Sequence, residues 1–308
     1  MPLTDSHERY VNFYTDFAFK KLFGTEMNKI LLISFLNELL RDKEVITDLT
    51  YLNVEHLGAN AANRKAVFDV YCETQTGEKI LVEMQKAEQE YFIERSIYYS
   101  TFPIQEQATK GDWNFELKRV YTIGILNFIF DKENADDYNH VVKLVEVDTG
   151  SVFYDKLTYI YLEMPKFRKT EEQLESLFEK WLYVIRNLSS LMERPAALQE
   201  AVFARLFEQA EIGKFTPTEL YDYRESQKDY WDFFSVTQTA ENKGRAEGLQ
   251  QGLEQGLEQG LQQGLEQGLQ QGLQQGIIES ARKMIAAGID RNVVISTLNI
   301  SPEIADTL

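Results

Sequence analysis

Val67-Phe68-Asp69-Val70-Tyr71-Cys72-Glu73-Thr74, then Gln75-Thr76-Gly77, then Glu78-Lys79-Ile80-Leu81-Val82-Glu83-Met84-Gln85 is the stretch on which the reading of this chain turns. Two runs rich in β-branched, aromatic and aliphatic residues flank a short polar turn, which predicts a β-hairpin. With Gln75, Thr76 and Gly77 as a three-residue loop and glycine in the left-handed position, Thr74 faces Glu78 and Asp69 faces Glu83. Two carboxylates then stand opposite each other, about 4.5 to 5.5 Å apart at Cβ, where like charges destabilise unless something compensates. Val67, Val70, Ile80, Leu81 and Val82 mark strands buried in a sheet, and burial raises the cost of an unbalanced acid pair.

A divalent cation is the natural compensator. Carboxylate oxygens with water in the remaining positions suit Mg²⁺ or Mn²⁺, and Gln85, two residues beyond Glu83, points to the same face. Asp69 and Glu83 are therefore the candidate metal ligands. A bound ion would lower the pKa of its water and polarise a phosphate, with Gln85 placed to orient that water. The same spacing also suits a solvent-facing hairpin with scattered acids, so the hairpin alone does not decide.

On the N-terminal side, apolar residues recur at helical spacing over residues 15–41: Phe17, Phe19, Leu22 and Phe23, then Ile30, Leu31, Ile33, Phe35, Leu36, Leu39 and Leu40. This predicts two helices broken near Gly24. Residues 50–57, 65–74 and 79–86 read as strands. From Glu88 to about Lys110 the pattern is helical, with Tyr91, Ile93, Ile97 and Tyr98 in the periodic positions and Pro103 expected to kink the helix or end it early.

Two β-rich runs follow, Arg119 to Phe130 and Val141 to Glu163, around an acidic loop from Asp131 to Asn139; Val120 to Phe128 reads as a buried strand. The order helix, strand, strand, strand, helix, strand describes an α/β sandwich. Residues from Thr170 to Asp232 read as amphipathic helices, with Leu174, Leu177, Phe178, Trp181, Leu182 and Ile185 as the apolar set. The expected organisation is a core over residues 1–165, a helical appendage over 166–240, a repeat over 241–276 and a small tri-helical module over 277–308.

The repeat is Gly-Leu-Glu/Gln-Gln, with glycine at every fourth position from Gly244 to Gly276. A four-residue step advances a helix by about 400°, so the Gly and Leu stripes drift by about 40° per repeat and wind round it. A long period of this kind favours right-handed winding if such helices pair. Each interior glycine costs about 1 kcal/mol relative to alanine, so a lone helix of this sequence is weak and needs a partner. The repeat reads either as a flexible linker or as a self-associating helix that makes the chain a homo-oligomer; its Gln and Glu exclude a lipid setting. Ile277 to Ala287, Asp290 to Leu298 and Pro302 to Leu308 predict three short helices. Only Arg282, Lys283 and Arg291 are basic among them, which favours a packing module over a DNA-reading helix-turn-helix.

With 308 residues, 44% of them apolar and 12% aromatic, the chain can bury a substantial core. One cysteine, Cys72, excludes an internal disulfide, and no leader or membrane-spanning apolar run is legible, so a cytoplasmic setting is the expectation. A formal charge of -17 argues against charge-driven adhesion to nucleic acid. A divalent ion at an acidic site reverses the local field, and Lys20 with Lys21, Arg41 with Lys43, and Arg64 with Lys65 form local basic clusters. His7, His56 and His140 follow no zinc-ligand spacing, and no glycine-rich loop joins a strand to a helix, so zinc and nucleotide sites of the usual kinds are not expected.

Tyr14-Thr15-Asp16-Phe17-Ala18-Phe19-Lys20-Lys21-Leu22-Phe23-Gly24, Leu36-Asn37-Glu38-Leu39-Leu40, Asp69, Glu83-Met84-Gln85 and Arg95-Ser96-Ile97-Tyr98-Tyr99, in that order, resemble the recombination-promoting nuclease and transposase family of the PD-(D/E)XK superfamily. The resemblance spans residues 10–240. It implies a restriction-endonuclease-like core, a central mixed sheet flanked by helices with a helical C-terminal extension, and Mg²⁺-dependent cleavage of DNA in recombination or mobile elements. Phe68 stands where the superfamily has proline. Gln85 stands where it has lysine, which removes a positive charge, although glutamine is usual in the resembled family.

By the same resemblance Asp16 lies near the metal, while as a first-turn acid it needs no catalytic role. Lys20, one turn on, is a candidate phosphate contact or a solvated lysine. Arg95 and Tyr99, one turn apart on one helix face, are candidates for substrate contact or for bridging helix to sheet. The acidic balance and Gln85 also admit a second function: a weak or inactive nuclease fold that binds DNA or mediates assembly.

Overall fold

The computed structural model describes residues 8–41, 45–52, 68–108, 114–306 and 308. Val67, the basic residues Lys43, Arg64 and Lys65, His7 and His56, and the expected strand beyond Leu52 lie outside the described residues. The chain divides into two compact units, Met1–Phe234 and Ser235–Leu308.

The first unit is built on a six-stranded mixed sheet of β1 (Leu49–Tyr51), β2 (Val70–Thr74), β3 (Lys79–Gln85), β4 (Val120–Leu126), β5 (Asn139–Val145) and β6 (Val152–Glu163), ordered β1-β2-β3-β4-β6-β5. β2 and β3 form the expected hairpin: Thr74 N–H donates to the Glu78 carbonyl at 2.9 Å, and Gly77 takes φ +87°, a backbone shape that favours glycine. β3 then runs parallel to β4 and β4 parallel to β6, while β5 closes the edge antiparallel to β6. The run read as one β segment from Val141 to Glu163 is two strands, reversed through Gly150 at φ +69°.

One face of the sheet carries the main core. Ile80, Val82, Met84, Ile123, Ile125, Ile160 and Leu162 pack there with α1 (Asp16–Phe23), α2 (Lys29–Leu39), α4 (Leu177–Asn187) and α5 (Ala201–Ala210). α1 starts at the cap Thr15, whose hydroxyl accepts Ala18 N–H, and stops at Gly24 as the sequence predicts. Phe23, Phe35 and Trp181 meet ring to ring, so α4 shares one core with the first two helices.

The other face is covered by α3 (Phe92–Glu106), which passes through Pro103 and ends within a turn of it. Ser96 and Ser100 share a face of α3, and their hydroxyls bond the Tyr161 and Tyr159 hydroxyls at 2.5 and 2.7 Å. Gly124 leaves room for the Phe92 ring beside Tyr161: a Cβ there would sit 3.1 Å from Tyr161 Cδ1 and 3.5 Å from Phe92 Cζ. These contacts fix α3 across β4 and β6.

α6 (Pro217–Ala286) begins in the first unit, where Tyr223 and Tyr230 are buried, and continues in the second. The second unit holds the repeat as helix, followed by α7 (Arg291–Thr297) and α8 (Pro302–Ala305), with Ala281, Val294 and Ile300 as a small core. The seven repeat leucines, Leu249 to Leu273, are 65–76% exposed. Among the described residues no helix is long and apolar enough to cross a membrane.

Candidate metal centre

The hairpin register places Val70 opposite Val82 and Tyr71 opposite Leu81, and extending it one step beyond β2 sets Asp69 across from Glu83. Asp69 lies just before the first residue of β2. Its carboxylate accepts the backbone N–H of Met84 at 2.7 Å, so the side chain occupies the place where the ladder would otherwise continue. β3 alternates, sending Ile80, Val82 and Met84 into the main core and turning Leu81, Glu83 and Gln85 toward α3.

Glu83 is only 19% exposed, and Arg95 on α3 meets it: Nη2 lies 3.0 Å from Glu83 Oε1. Burial pushes the Glu83 carboxyl up to about 7; Arg95 pulls against that shift and Asp69 adds to it. Asp69 is also raised, first by burial, with Asp16 pushing further up and the Met84 N–H, Lys20 and Lys86 opposing. The two acids thus lie within electrostatic reach of each other, and burial outweighs the opposing pull of Arg95, Lys20 and Lys86. Glu163 shows the contrast. Buried in the same sheet, it accepts the N–H groups of Phe130 and Asp131, pairs with Lys166 and meets His140 Nε2 at 2.9 Å, and its carboxyl is held below the usual range despite its burial.

Gln85 is 5% exposed, donates from Nε2 to the Ala87 carbonyl at 3.1 Å and offers Oε1 to Arg95 Nη2 at 3.5 Å. Asp16, in the first turn of α1, pairs with Lys86 at 2.9 Å. Lys20 and Asp69 line the same cleft of about 500 Å³, together with Phe17, Asn28, Gln209 and Glu219. Tyr99 packs edge-on to Phe68 at 5.1 Å and lies under the Arg95 guanidinium, 5.7 Å from ring centroid to Cζ.

The structure therefore brings Glu83, Gln85 and Arg95 together on the α3 side, while Asp69, at the hairpin mouth within electrostatic reach of Glu83, lines the cleft beside α1 with Lys20 and feels Asp16. Lys86 is a neighbour that sequence reasoning missed. Its position directly after Gln85 was the available signal, but strand alternation pointed it away from the glutamine.

Among the described residues no cluster of three or more His, Cys, Asp and Glu side chains could by itself hold a metal ion. The acid pair still fits a hard divalent ion in its chemistry. Two carboxylate donors leave coordination positions to water and substrate oxygen, which suits Mg²⁺ and Mn²⁺, and the raised carboxyl of Glu83 marks a site that added positive charge would relieve. A family model described as PD-(D/E)XK nuclease family transposase matches residues 13–240. No curated protein and no solved structure matches the chain.

Proposed function

The chain belongs to the PD-(D/E)XK nuclease family transposases, and from that premise we propose that it is a DNA endonuclease that hydrolyses phosphodiester bonds with Mg²⁺ or Mn²⁺ held by Asp69 and Glu83. The observation that supports this most is the buried acid pair at the hairpin mouth, with Asp69 held by the Met84 N–H and Glu83 by Arg95, where burial pushes the Glu83 carboxyl up to about 7. When bound, the ion supplies Lewis-acid polarisation of the phosphate and a more acidic water.

The chain's own groups do the rest. Asp69 is oriented by the Met84 N–H on one oxygen, which leaves the other for the ion. Gln85 is tied at Nε2 to Ala87, which leaves its Oε1 side facing Glu83's partner Arg95 and the space where a water would be oriented. Asp16 is an outer acid that orients Lys86 beside Asp69. Lys20 on the cleft wall, with Arg95 and Tyr99 on α3, forms the DNA-contacting set. Such local cations let an acidic chain hold a phosphate backbone without a broad basic face.

Purified protein is tested on supercoiled plasmid with Mg²⁺ or Mn²⁺. Nicking or cutting that needs the ion and disappears in Asp69→Asn and Glu83→Gln supports the reading. Cleavage that persists in the double variant removes it, and DNA binding without turnover moves the chain to a binding role.

The repeat carries a second element of the reading. Its leucines lie uncovered along α6, and beyond the backbone of their own helix turns and their chain neighbours its glycines have no atom within 4 Å of the Cβ position. We infer that a second copy of the same helix covers this stripe and joins two nuclease cores, so that both DNA strands can be cut. Sedimentation of the chain truncated after Thr239 tests this: the assembly should fall apart, and an unchanged mass excludes the repeat from it.

A further inference from the structure

Arg95 is held in an unusual way for a surface-facing arginine. Its Nη1 bonds Gln89 Oε1, and its Nη2 serves both Glu83 Oε1 at 3.0 Å and Gln85 Oε1 at 3.5 Å. Its Nε is buried without a hydrogen-bond partner. The backbone beneath it is fixed, because Ser96 and Ser100 tie α3 to Tyr161 and Tyr159. Freedom therefore resides in the side chain.

A guanidinium cannot shed its proton, and two cations on one partly buried carboxylate repel each other. Arg95 holds Glu83 Oε1, so an ion coordinated by the same carboxylate and the present Arg95–Glu83 pair oppose each other through that repulsion. A displaced Arg95 needs a new acceptor for a planar fork that already has one N–H unsatisfied, and a phosphate matches that fork in charge and shape. Gln85, neutral and tied to Ala87, supplies no positive charge of its own.

We propose that Arg95 is an exchangeable partner: it pairs with Glu83 in the metal-free chain, yields that carboxylate to the divalent ion, and turns its guanidinium to the DNA phosphate at the cleavage point. The proposal rests on the nuclease reading above. It makes ion binding and phosphate binding mutually supportive, since each supplies what the other displaces.

The test is Mn²⁺ titration of the full chain, followed by electron paramagnetic resonance, for the native protein, Arg95→Met and Arg95→Lys, with single-turnover DNA cleavage at saturating Mn²⁺. Arg95→Met should bind Mn²⁺ about tenfold tighter or more, the scale of one opposite charge removed from a carboxylate. Its cleavage should fall by about a hundredfold, the scale of one lost transition-state donor. Arg95→Lys, which keeps charge but not the fork, should hold Mn²⁺ affinity near native and still cleave more slowly. It carries the test if the methionine variant does not fold.

Unchanged or weaker Mn²⁺ binding by Arg95→Met overturns the exchange, as does native-like cleavage by Arg95→Lys, and in both cases the metal-dependent nuclease stands. Absence of Mn²⁺ binding by every form, native included, removes the nuclease reading and the exchange with it.

Discussion

The Asp69 carboxylate accepts the Met84 backbone N–H at 2.7 Å, joining the residue before β2 to the strand that carries Glu83 and Gln85. One side chain thus both stitches the hairpin mouth and faces the acid across it. Asp69→Asn keeps an acceptor for that N–H, whereas Asp69→Ala leaves it unpaired. The alanine variant is expected to lose about 1 to 3 kcal/mol of stability and the asparagine variant much less, measured by urea denaturation, while both lose cleavage. Equal destabilisation would mean that the hydrogen bond does not hold the mouth.

The raised Glu83 carboxyl gives a pH signature in the metal-free chain. The folded state keeps a proton up to about 7 that the unfolded chain releases near 4.5. The stabilising contribution is therefore full below the lower value and is lost as pH rises through the upper one. The urea midpoint of native protein should fall across that window relative to Glu83→Gln, which carries no such proton, and Mg²⁺ should restore it at the alkaline end. Parallel profiles for the two proteins would contradict the shift.

Gly124 lies beside Glu83 in the parallel register, under the Phe92 and Tyr161 rings of the α3 contact. A methyl there would meet Tyr161 Cδ1 at 3.1 Å and Leu126 Cδ2 at 3.2 Å. Gly124→Ala is expected to cost about 1 to 3 kcal/mol by overpacking and to reduce cleavage by lifting α3, and Arg95 with it, from Glu83. Denaturation together with cleavage assays reads both effects; a native-like variant would show that α3 seats without this gap.

How much of this was legible in the chain itself depends on the range of the interactions. The hairpin register was legible because Gly77 fixes the loop, and the register alone carries Asp69 to Glu83. The break after Phe23 was legible because Gly24 interrupts a strong apolar period. Asp69, expected within a strand, lies just before β2, where its carboxylate takes the Met84 N–H. The reversal between β5 and β6 was hidden because Val147-Asp148-Thr149-Gly150 lacks a two-residue turn signature. The seat of Arg95 on Glu83 and of Lys86 on Asp16 was invisible for a different reason. Each depends on a helix docking against β3 or its end, and neither periodicity nor spacing encodes that docking.

The repeat glycines make opposite demands on helix and assembly. Alanine at Gly252, Gly260 and Gly268 meets no atom within 4 Å beyond the local helix backbone and chain neighbours and should stabilise the helix by about 1 kcal/mol per site, seen as greater helicity by circular dichroism. If pairing requires close backbone approach at those glycines, the same triple substitution should lower the sedimenting mass. Greater helicity with unchanged mass would place the contact on the leucines instead.

Where a divalent ion binds tests the nuclease reading most directly. In a crystal soaked with Mn²⁺, an anomalous difference map is expected to show one strong peak coordinated by both Asp69 and Glu83, with Arg95 turned off the glutamate. A map with no peak between those two carboxylates at saturating Mn²⁺, or with the ion held elsewhere, would contradict it.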